Sequence, residues 1–329
     1  MKGKWRNFTS QRKSHPDSAA ETAPGNLRHD PKNRVPCQRR TKCPATLDNP
    51  GSCVESNCLQ DHFELFSRAK GTATVNSKPV TAIIIPARLG STRLARKMLL
   101  QETGKPLLQH TYEAARRSRQ ADRVIVATDS VEIFDAVQRF GGEVEMTLAS
   151  HQSGTDRIAE VAAKLPEFDI VVNVQGDEPD MAADAIDRVI EQLHQQSEVP
   201  VATAACPIRL QALIHDPSCV KVVMDQQGRA LYFSRSPIPY PRNWNDGWLT
   251  DEPPRYFQHL GIYAYRRSFL MKFATLPDSL AEQTESLEQL RVLQAGYPIA
   301  VACVEYHSKG IDTVEDYAAF VARIKSTSH

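Results

Sequence analysis

The stretch IIIPARLGSTRLARK, residues 83–97, joins an apolar run to a strongly basic loop. Three successive isoleucines predict a strand that is covered on both faces, as in a parallel sheet. The segment after Pro86 carries four cationic side chains and a single glycine, Gly90. In open α/β sheets, ligands bind beyond the carboxyl ends of the strands. The stretch therefore predicts an α/β fold with a binding loop directly after its first strand.

The pattern continues along the chain from about residue 78, where short β-branched runs alternate with amphipathic stretches. This alternation is typical of βαβ units and predicts a doubly wound, largely parallel sheet. We predict strands at 81–86, 123–128, 143–146, 169–174 and 201–205, with helices at 106–119, 131–140, 155–165 and 182–195. Further along we predict a hairpin at 220–224 and 229–234, a strand at 259–266, and helices at 280–295 and 314–325.

The composition is that of an ordinary globular protein, with 329 residues, 41% hydrophobic residues and a net charge of +1. A balanced charge gives the whole chain no general attraction to nucleic acid or to an anionic membrane. No apolar run approaches the roughly 20 residues that span a bilayer, and the amino terminus lacks the apolar core of a secretory signal. We therefore expect a cytoplasmic protein without nucleic-acid binding or stable membrane association.

Residues 1–77 differ from the rest because they are rich in basic, polar and proline residues. Such a composition favours a disordered basic extension, with a weak nucleic-acid or membrane contact as the alternative. Four cysteines, Cys37, Cys43, Cys53 and Cys58, fall in this segment. We interpret them as free thiols; zinc binding and disulfides are the alternatives, although the spacing lacks paired C-x2-C knuckles.

The basic loop matches neither the Walker pattern GxxxxGK[ST] nor the dinucleotide pattern GxGxxG. Even so, the backbone amides of residues 90–92, flanked by Arg88, Arg93 and Lys97, would suit a polyphosphate. Arginine forks bind phosphate oxygens bidentately, and a lysine adds a mobile point charge. The alternative is a solvated basic surface loop.

Two carboxylates are candidates for a metal site. Asp177, in NVQGDEP, follows a predicted strand and shares a sheet edge with the basic loop, while Asp312 lies in GIDTVED before the last helix. One or two carboxylates together with phosphate oxygens and water are the ligands that Mg2+ prefers. The alternative is a helix cap, with Asp312 or Thr313 as the N-cap and Asp316 completing a capping box.

Other polar groups are candidates for substrate contacts. HQSGTDR, residues 151–157, follows the third strand and could contact a base or sugar, although Ser153 or Thr155 could simply cap a helix. His259 and Tyr263 share one face of a predicted strand, and Glu288 and Gln289 lie on a late helix. Spacing alone favours an ordinary surface group over a ligand contact at each of these positions.

Together these segments resemble the 3-deoxy-manno-octulosonate (KDO) cytidylyltransferases, from about residue 78 to the carboxyl end. The basic loop looks like the family's IIPAR-x-x-STRL phosphate loop. The further motifs match in order: HQSGTDR, IVVNVQGDEP, ALYFSRSPIP, HLGIYAYR, ESLEQLRVL and GIDTVEDY.

The resemblance implies a nucleotidyltransferase fold in residues 78–329, Rossmann-like with a doubly wound mixed sheet. It also implies a small antiparallel dimerisation subdomain at about 207–265. Family members act as homodimers that use Mg2+ to transfer CMP from CTP to the anomeric hydroxyl of KDO. Pyrophosphate is released, and the CMP-KDO serves lipopolysaccharide biosynthesis.

Residue roles follow from the same resemblance. The predicted catalytic group is Arg88, Arg93, Lys97 and Asp177, and Asp177 with Asp312 would bind Mg2+. The predicted nucleotide contacts are Arg88, Ser91, Arg93, Lys97, Ser153, Gly154 and Gln175. The predicted KDO contacts are Arg157, Gln175, His259, Tyr263, Glu288 and Gln289.

Some questions stay open at this stage. The family pattern continues STRLPGKPL, whereas this chain reads STRLARKM, so Lys97 could be shifted. A synthetase of the CMP-sialate type and an inactive binding module are the alternative functions. An amino analogue of KDO is an alternative acceptor.

Overall fold

The computed structural model describes residues 78–90, 93–305 and 310–327. The predictions for residues 1–77, including the four cysteines, and the role of Ser91 lie outside the described residues. Within those three ranges, no helix is long and apolar enough to cross a membrane.

The described residues contain one sheet of nine strands. The strands are β1 Thr81–Ala87, β2 Arg123–Thr128, β3 Glu143–Met146, β4 Ile170–Asn173, β5 Val201–Pro207, β6 Lys221–Met224, β7 Ala230–Ser234, β8 Phe257–Arg266 and β9 Ile299–Cys303. The main order is β3-β2-β1-β4-β8-β5-β9. Every residue of β1 is buried, and β1 pairs in parallel with β2 and β4. The first strand is therefore central, as the isoleucine run predicts.

Strand β8 makes the sheet mixed. It is antiparallel to both of its neighbours, β4 and β5, and also to β6 at its start. The β6–β7 hairpin extends the sheet from that point, with Gly228 at positive φ in its turn. The segment predicted as a dimerisation subdomain, about 207–265, thus contains this hairpin and most of a central strand. Its role in dimerisation stays a prediction.

Helices cover both faces of the sheet, as expected for a doubly wound fold. Their bounds are α1 Leu107–Ala115, α2 Val131–Arg139, α3 Gly154–Lys164, α4 Ala183–Gln195, α5 Gln211–His215, α6 Arg267–Phe273, α7 Leu280–Glu285, α8 Gln289–Gln294 and α9 Val314–Thr327. One core lies under α1, α2 and α4, and the other lies under α3, α6 and α8. The predicted α/β fold with a doubly wound mixed sheet is confirmed.

The predicted helix at 280–295 is wrong as a single element. Ser286 adopts a left-handed conformation, φ 53°, which ends α7 and separates it from α8. A left-handed residue cannot continue an α-helix, so the chain turns before Glu288. Strand β9 and helices α5 and α6 were also missed, because short apolar runs do not distinguish a strand from a helix.

Candidate active site

The centre of the site is an ammonium group held between two carboxylates. Lys97 Nζ lies 2.5 Å from Asp177 Oδ2 and 3.0 Å from Asp312 Oδ1, and it also donates to the carbonyl of Ile311 at 3.1 Å. The Lys97 side chain is only 10% exposed. Burial lowers the pKa of Lys97, but the hydrogen bonds and charges of the two aspartates outweigh it, so the pKa is raised. The three groups form one charged cluster.

Close packing fixes Asp177 at the carboxyl end of β4. A Cβ on Gly176 would lie 3.1 Å from both the Met98 side chain and the Pro86 carbonyl, so glycine allows the turn to approach the basic loop closely. The Gly176 carbonyl accepts from Thr111 Oγ1 at 2.9 Å. The next carboxylate therefore lies beside the loop that carries Lys97.

Asp312 is brought to the loop by the last helix. A small apolar cluster, comprising Leu94, Leu107, Ile311, Tyr317 and Phe320, packs α9 and the segment before it against the basic loop. The backbone N–H of Ile311 also donates to the Asp177 carbonyl at 2.9 Å. The two aspartates are thus joined through backbone as well as through Lys97.

The capping alternative for this segment is settled by its hydrogen bonds. Asp316 N donates to Thr313 Oγ1 at 3.1 Å, and Thr313 N donates to Asp316 Oδ2 at 3.1 Å, which is a capping box. Thr313 therefore caps α9. The Asp312 carboxylate faces Lys97 and Arg93 instead, with Arg93 Nη2 at 3.1 Å from Asp312 Oδ2.

The altered sequence after Leu94 does not move Lys97 away from the aspartates. Arg96 takes a left-handed conformation, φ 55° and ψ 25°, and Lys97–Leu99 then form a single 3-10 turn. The guanidinium of Arg96 pairs with Glu132 in the first turn of α2. Lys97 therefore reaches both carboxylates despite the altered sequence.

A second loop lies against the carboxyl end of β1. Arg88 Nη2 donates to the Ser153 carbonyl at 2.8 Å, and a Cβ on Gly154 would lie 3.3 Å from Pro86. Ser153 caps α3 in a capping box with Asp156, as the alternative interpretation proposed. The arrangement brings the predicted nucleotide contacts Arg88, Ser153 and Gly154 together.

Arg157 occupies a different environment from the one predicted for a substrate contact. It is fully buried, donates to Thr147 Oγ1 and pairs with Asp129 Oδ2 at 3.1 Å. Its side chain has no exposed surface and supports the loop before α3, and its contact with KDO stays a prediction. Nothing in the motif HQSGTDR distinguishes these two roles.

The predicted KDO contacts lie beside the sheet face covered by α3 and α8. The rings of His259 and Tyr263 are 5.4 Å apart, and His259 Nε2 lies 3.0 Å from Thr203 Oγ1. Thr155 Oγ1 donates to Glu288 Oε2 at 2.6 Å. Burial lowers the pKa of His259 to about 3 and raises the pKa of Glu288 despite the hydrogen bonds that it accepts. This part of the site therefore holds a neutral imidazole.

Two buried amide groups on this side of the fold have unused hydrogen-bonding capacity. Asn173 Oδ1, at the end of β4 and in register with Tyr263, has no partner among the described residues, and neither has Gln289 Nε2. Gln175 lies nearby, since a Cβ on Gly261 of β8 would be 4.0 Å from its Cγ. Both amides thus keep buried polar atoms that no described residue satisfies. Asn173 was not singled out from the sequence, where it reads as one more strand residue.

An open cleft of about 630 Å3 lies next to the charged cluster. One part of it is lined by Arg93, Gly310, Asp312, Thr313 and Asp316. The rest is lined by residues at the start of α5 and within it, in the turn after α5 and in β8: Leu210, Leu213, Asp216, Ser218, Cys219 and Gln258. Sequence reasoning missed this second group, because no motif marks it.

The two aspartates are donors of the kind that a magnesium ion would use, and its binding here stays a prediction. They already bind one cation, the Lys97 ammonium, and no group of three or more potential ligands occurs in the part of the chain that the structure describes. Two carboxylates suit Mg2+, which completes its shell with phosphate oxygens and water, whereas a structural zinc site would need four protein ligands.

Comparison with known proteins identifies the class to which this fold and site belong. The profile of the family described as cytidylyltransferase matches residues 82–302, so the chain belongs to the cytidylyltransferase family. It is 52% identical over 245 residues to 3-deoxy-manno-octulosonate cytidylyltransferase of Rhodopirellula baltica, covering 74% of this chain and 98% of the relative. It is 47% identical over 255 residues to the protein of the same name from Geotalea daltonii, covering 75% and 98%.

A solved structure gives the same result. The structure of CMP:2-keto-3-deoxy-manno-octonic acid synthetase complexed with CTP superposes with a TM-score of 0.70 at 44% identity, covering 75% of this chain and 99% of that one. The resemblance drawn from the motifs is confirmed. The residue roles, the magnesium ion and the dimer stay predictions.

Proposed function

We propose that this protein transfers CMP from CTP to the anomeric hydroxyl of KDO, giving CMP-KDO and pyrophosphate for lipopolysaccharide biosynthesis. The observation that carries the proposal is the cluster of Lys97, Asp177 and Asp312, with Arg93 beside it at an open cleft. Phosphoryl transfer needs positioning and neutralisation of charge more than covalent chemistry from the protein.

The reaction forms a bond from the sugar oxygen to the α-phosphorus and breaks the bond from that phosphorus to the bridging oxygen of pyrophosphate. Negative charge grows on the leaving group, so Arg88, Arg93 and Lys97 would stabilise it, in the way that fixed cations stabilise a transition state. Asp177 and Asp312 would hold Mg2+. When bound, the ion would neutralise phosphate charge and lower the pKa of the attacking hydroxyl.

The acceptor would lie against the face that carries His259, Tyr263 and Gln289. A neutral imidazole and an unpaired amide N–H can donate to the carboxylate and hydroxyl groups of an acidic sugar, and Asn173 Oδ1 can accept from a hydroxyl. Sites built from paired polar groups reject analogues that leave a buried group unpaired. This supports selection of one acidic ketose.

We also propose a homodimer that uses the β6–β7 hairpin. Strand β7 is an edge strand in the described sheet, and it exposes Leu231 at 62% and Tyr232 at 38%. An apolar side chain on an unpaired strand edge favours pairing with another chain. Light scattering at micromolar concentration tests this, and a monomer would contradict it. The cytoplasmic location remains a prediction.

The test of the function is a pyrophosphate-release assay on the purified full chain with Mg2+. Each of the four nucleoside triphosphates is combined with KDO, its amino analogue and a sialate. We expect turnover with CTP and KDO, at least tenfold above every other combination. Turnover with the sialate alone would favour the CMP-sialate alternative, and no turnover with any combination would favour the inactive module.

A further inference from the structure

The left-handed residue in the basic loop has a partner that the catalytic proposal does not use. We propose that Arg96 and Glu132 form a latch that fixes the backbone before Lys97, and that Arg96 is therefore a positioning residue for the lysine. This inference rests on the proposed role of Lys97.

The first step is the backbone geometry. Arg96 has φ 55°, although L-residues with a side chain rarely adopt this conformation because Cβ crowds the following carbonyl. The Arg96 carbonyl accepts from Leu99 N at 2.8 Å, which closes the 3-10 turn that begins at Lys97. The direction in which Lys97 leaves the chain is therefore set by the conformation of Arg96.

The second step is what holds Arg96 there. Both terminal nitrogens of its guanidinium face the Glu132 carboxylate, one to each oxygen, and Glu132 lies in the first turn of α2. A surface cavity of about 290 Å3 opens between the loop and α2 beside this pair, lined by Leu99, Pro106 and Arg139. Leu99 packs on the apolar core that includes Ile133 of α2, and the two-pronged ion pair adds a polar tie to the first turn of that helix.

The third step is that the two residues after Arg96 contact other parts of the fold. Met98 packs against Gly176, and Lys97 bonds Asp177 and Asp312. Three consecutive side chains thus attach the loop to α2, to the turn after β4 and to the segment before α9. If the Glu132 tie were lost, the strained conformation of Arg96 would relax, and Lys97 would lose its alignment with the two aspartates.

The test exploits the one residue that adopts positive φ without strain, glycine. Arg96→Ala and Glu132→Ala each remove the ion pair and keep the strain, whereas Arg96→Gly removes both. We expect the two alanine variants to lower kcat/KM for CTP threefold to tenfold, with KM for KDO within twofold of the parent. Arg96→Gly and the double variant Arg96→Gly/Glu132→Ala should stay within twofold of the parent.

A matched control is Glu113→Ala, which breaks the surface pair with Lys105 and should change neither constant.

Hydrogen exchange supplies a readout that does not depend on catalysis. Exchange of the peptide containing the Leu99 amide should accelerate in both alanine variants and return toward the parent rate in Arg96→Gly. An equal loss of kcat/KM in Arg96→Gly and Arg96→Ala would contradict the proposed latch. Parent-like kinetics in both alanine variants would contradict it as well. An inactive parent that shows the exchange pattern would instead refute the function and leave the latch standing.

Discussion

Two buried lysines of this protein have opposite surroundings. Lys97 meets two carboxylates at the edge of an open cleft, and its pKa is raised. Lys221, on β6, is fully buried and donates to three backbone carbonyls, those of Asp216, Cys219 and Arg235, at 2.6 to 2.9 Å. Burial lowers the pKa of Lys221, because its partners are dipoles and carry no full charge.

The comparison separates Lys97, a charge at the proposed active site, from Lys221, a charge that supports the fold. The carboxylates around Lys97 could exchange one cation for another, since both keep some exposed surface and Asp312 lines the cleft. The carbonyls around Lys221 belong to a turn and a strand end, which the ammonium fastens together. We therefore expect substitution of Lys97 to affect catalysis and substitution of Lys221 to affect folding.

The largest effect should come from Lys97→Met at saturating Mg2+. Methionine keeps the length of the side chain but removes the charge that would stabilise the leaving pyrophosphate. We expect kcat with CTP and KDO to fall about 10^2- to 10^4-fold, with Tm changed by less than about 4 °C. Steady-state pyrophosphate release and calorimetry measure the two quantities. A loss smaller than threefold would place Lys97 among the structural lysines.

A smaller effect, of a different kind, should follow from Lys221→Met. Three buried carbonyls lose their donor, which costs more than is recovered by removing a desolvated charge. We expect a net loss of about 2–4 kcal/mol, or a Tm lower by about 4–12 °C for a domain of this size. The kcat of the folded variant should stay within threefold of the parent. Lys105→Met, at an exposed lysine, is the matched control and should leave Tm nearly unchanged.

The smallest effect should be the pH dependence that Lys221 confers on stability. Its folded pKa is lowered from 10.5, so the folded state loses this proton at a lower pH than the unfolded state does. Between the two pKa values the unfolded chain binds more protons, and the contribution of Lys221 to the free energy of unfolding rises with pH. The Tm difference between parent and Lys221→Met should thus widen as the pH rises toward 10.5. A difference that narrows over this range would mean that Lys221 has a raised pKa, like Lys97.

Much of the fold could be predicted because local pattern and final structure agree. The strands at 123–128 and 143–146 have the predicted bounds, since alternating or continuous apolar runs there end at clear turn signals. The insertion of β8 between β4 and β5 could not be predicted, because the order of strands in a sheet depends on packing between distant segments. The break at Ser286 was also hidden, since serine has no sequence signature for a left-handed conformation.

The candidate site could likewise be predicted only in part. Asp177 and the basic loop could be placed at one edge from the rule that ligands bind at the carboxyl ends of strands. The sequence does not decide whether Asp312 or Thr313 caps α9, because both residues suit an N-cap and only the observed hydrogen bonds distinguish them. The burial of Arg157 and the unpaired Asn173 Oδ1 depend on neighbours far away in sequence.

The distance along the chain between the partners of the charged cluster has a consequence for folding. Lys97 and Asp312 are 215 residues apart, and all nine strands of the described sheet lie before Asp312 in sequence. The cluster can therefore form only when the loop after the first strand meets the segment after the last strand. Its assembly reports that the sheet between these two segments has folded.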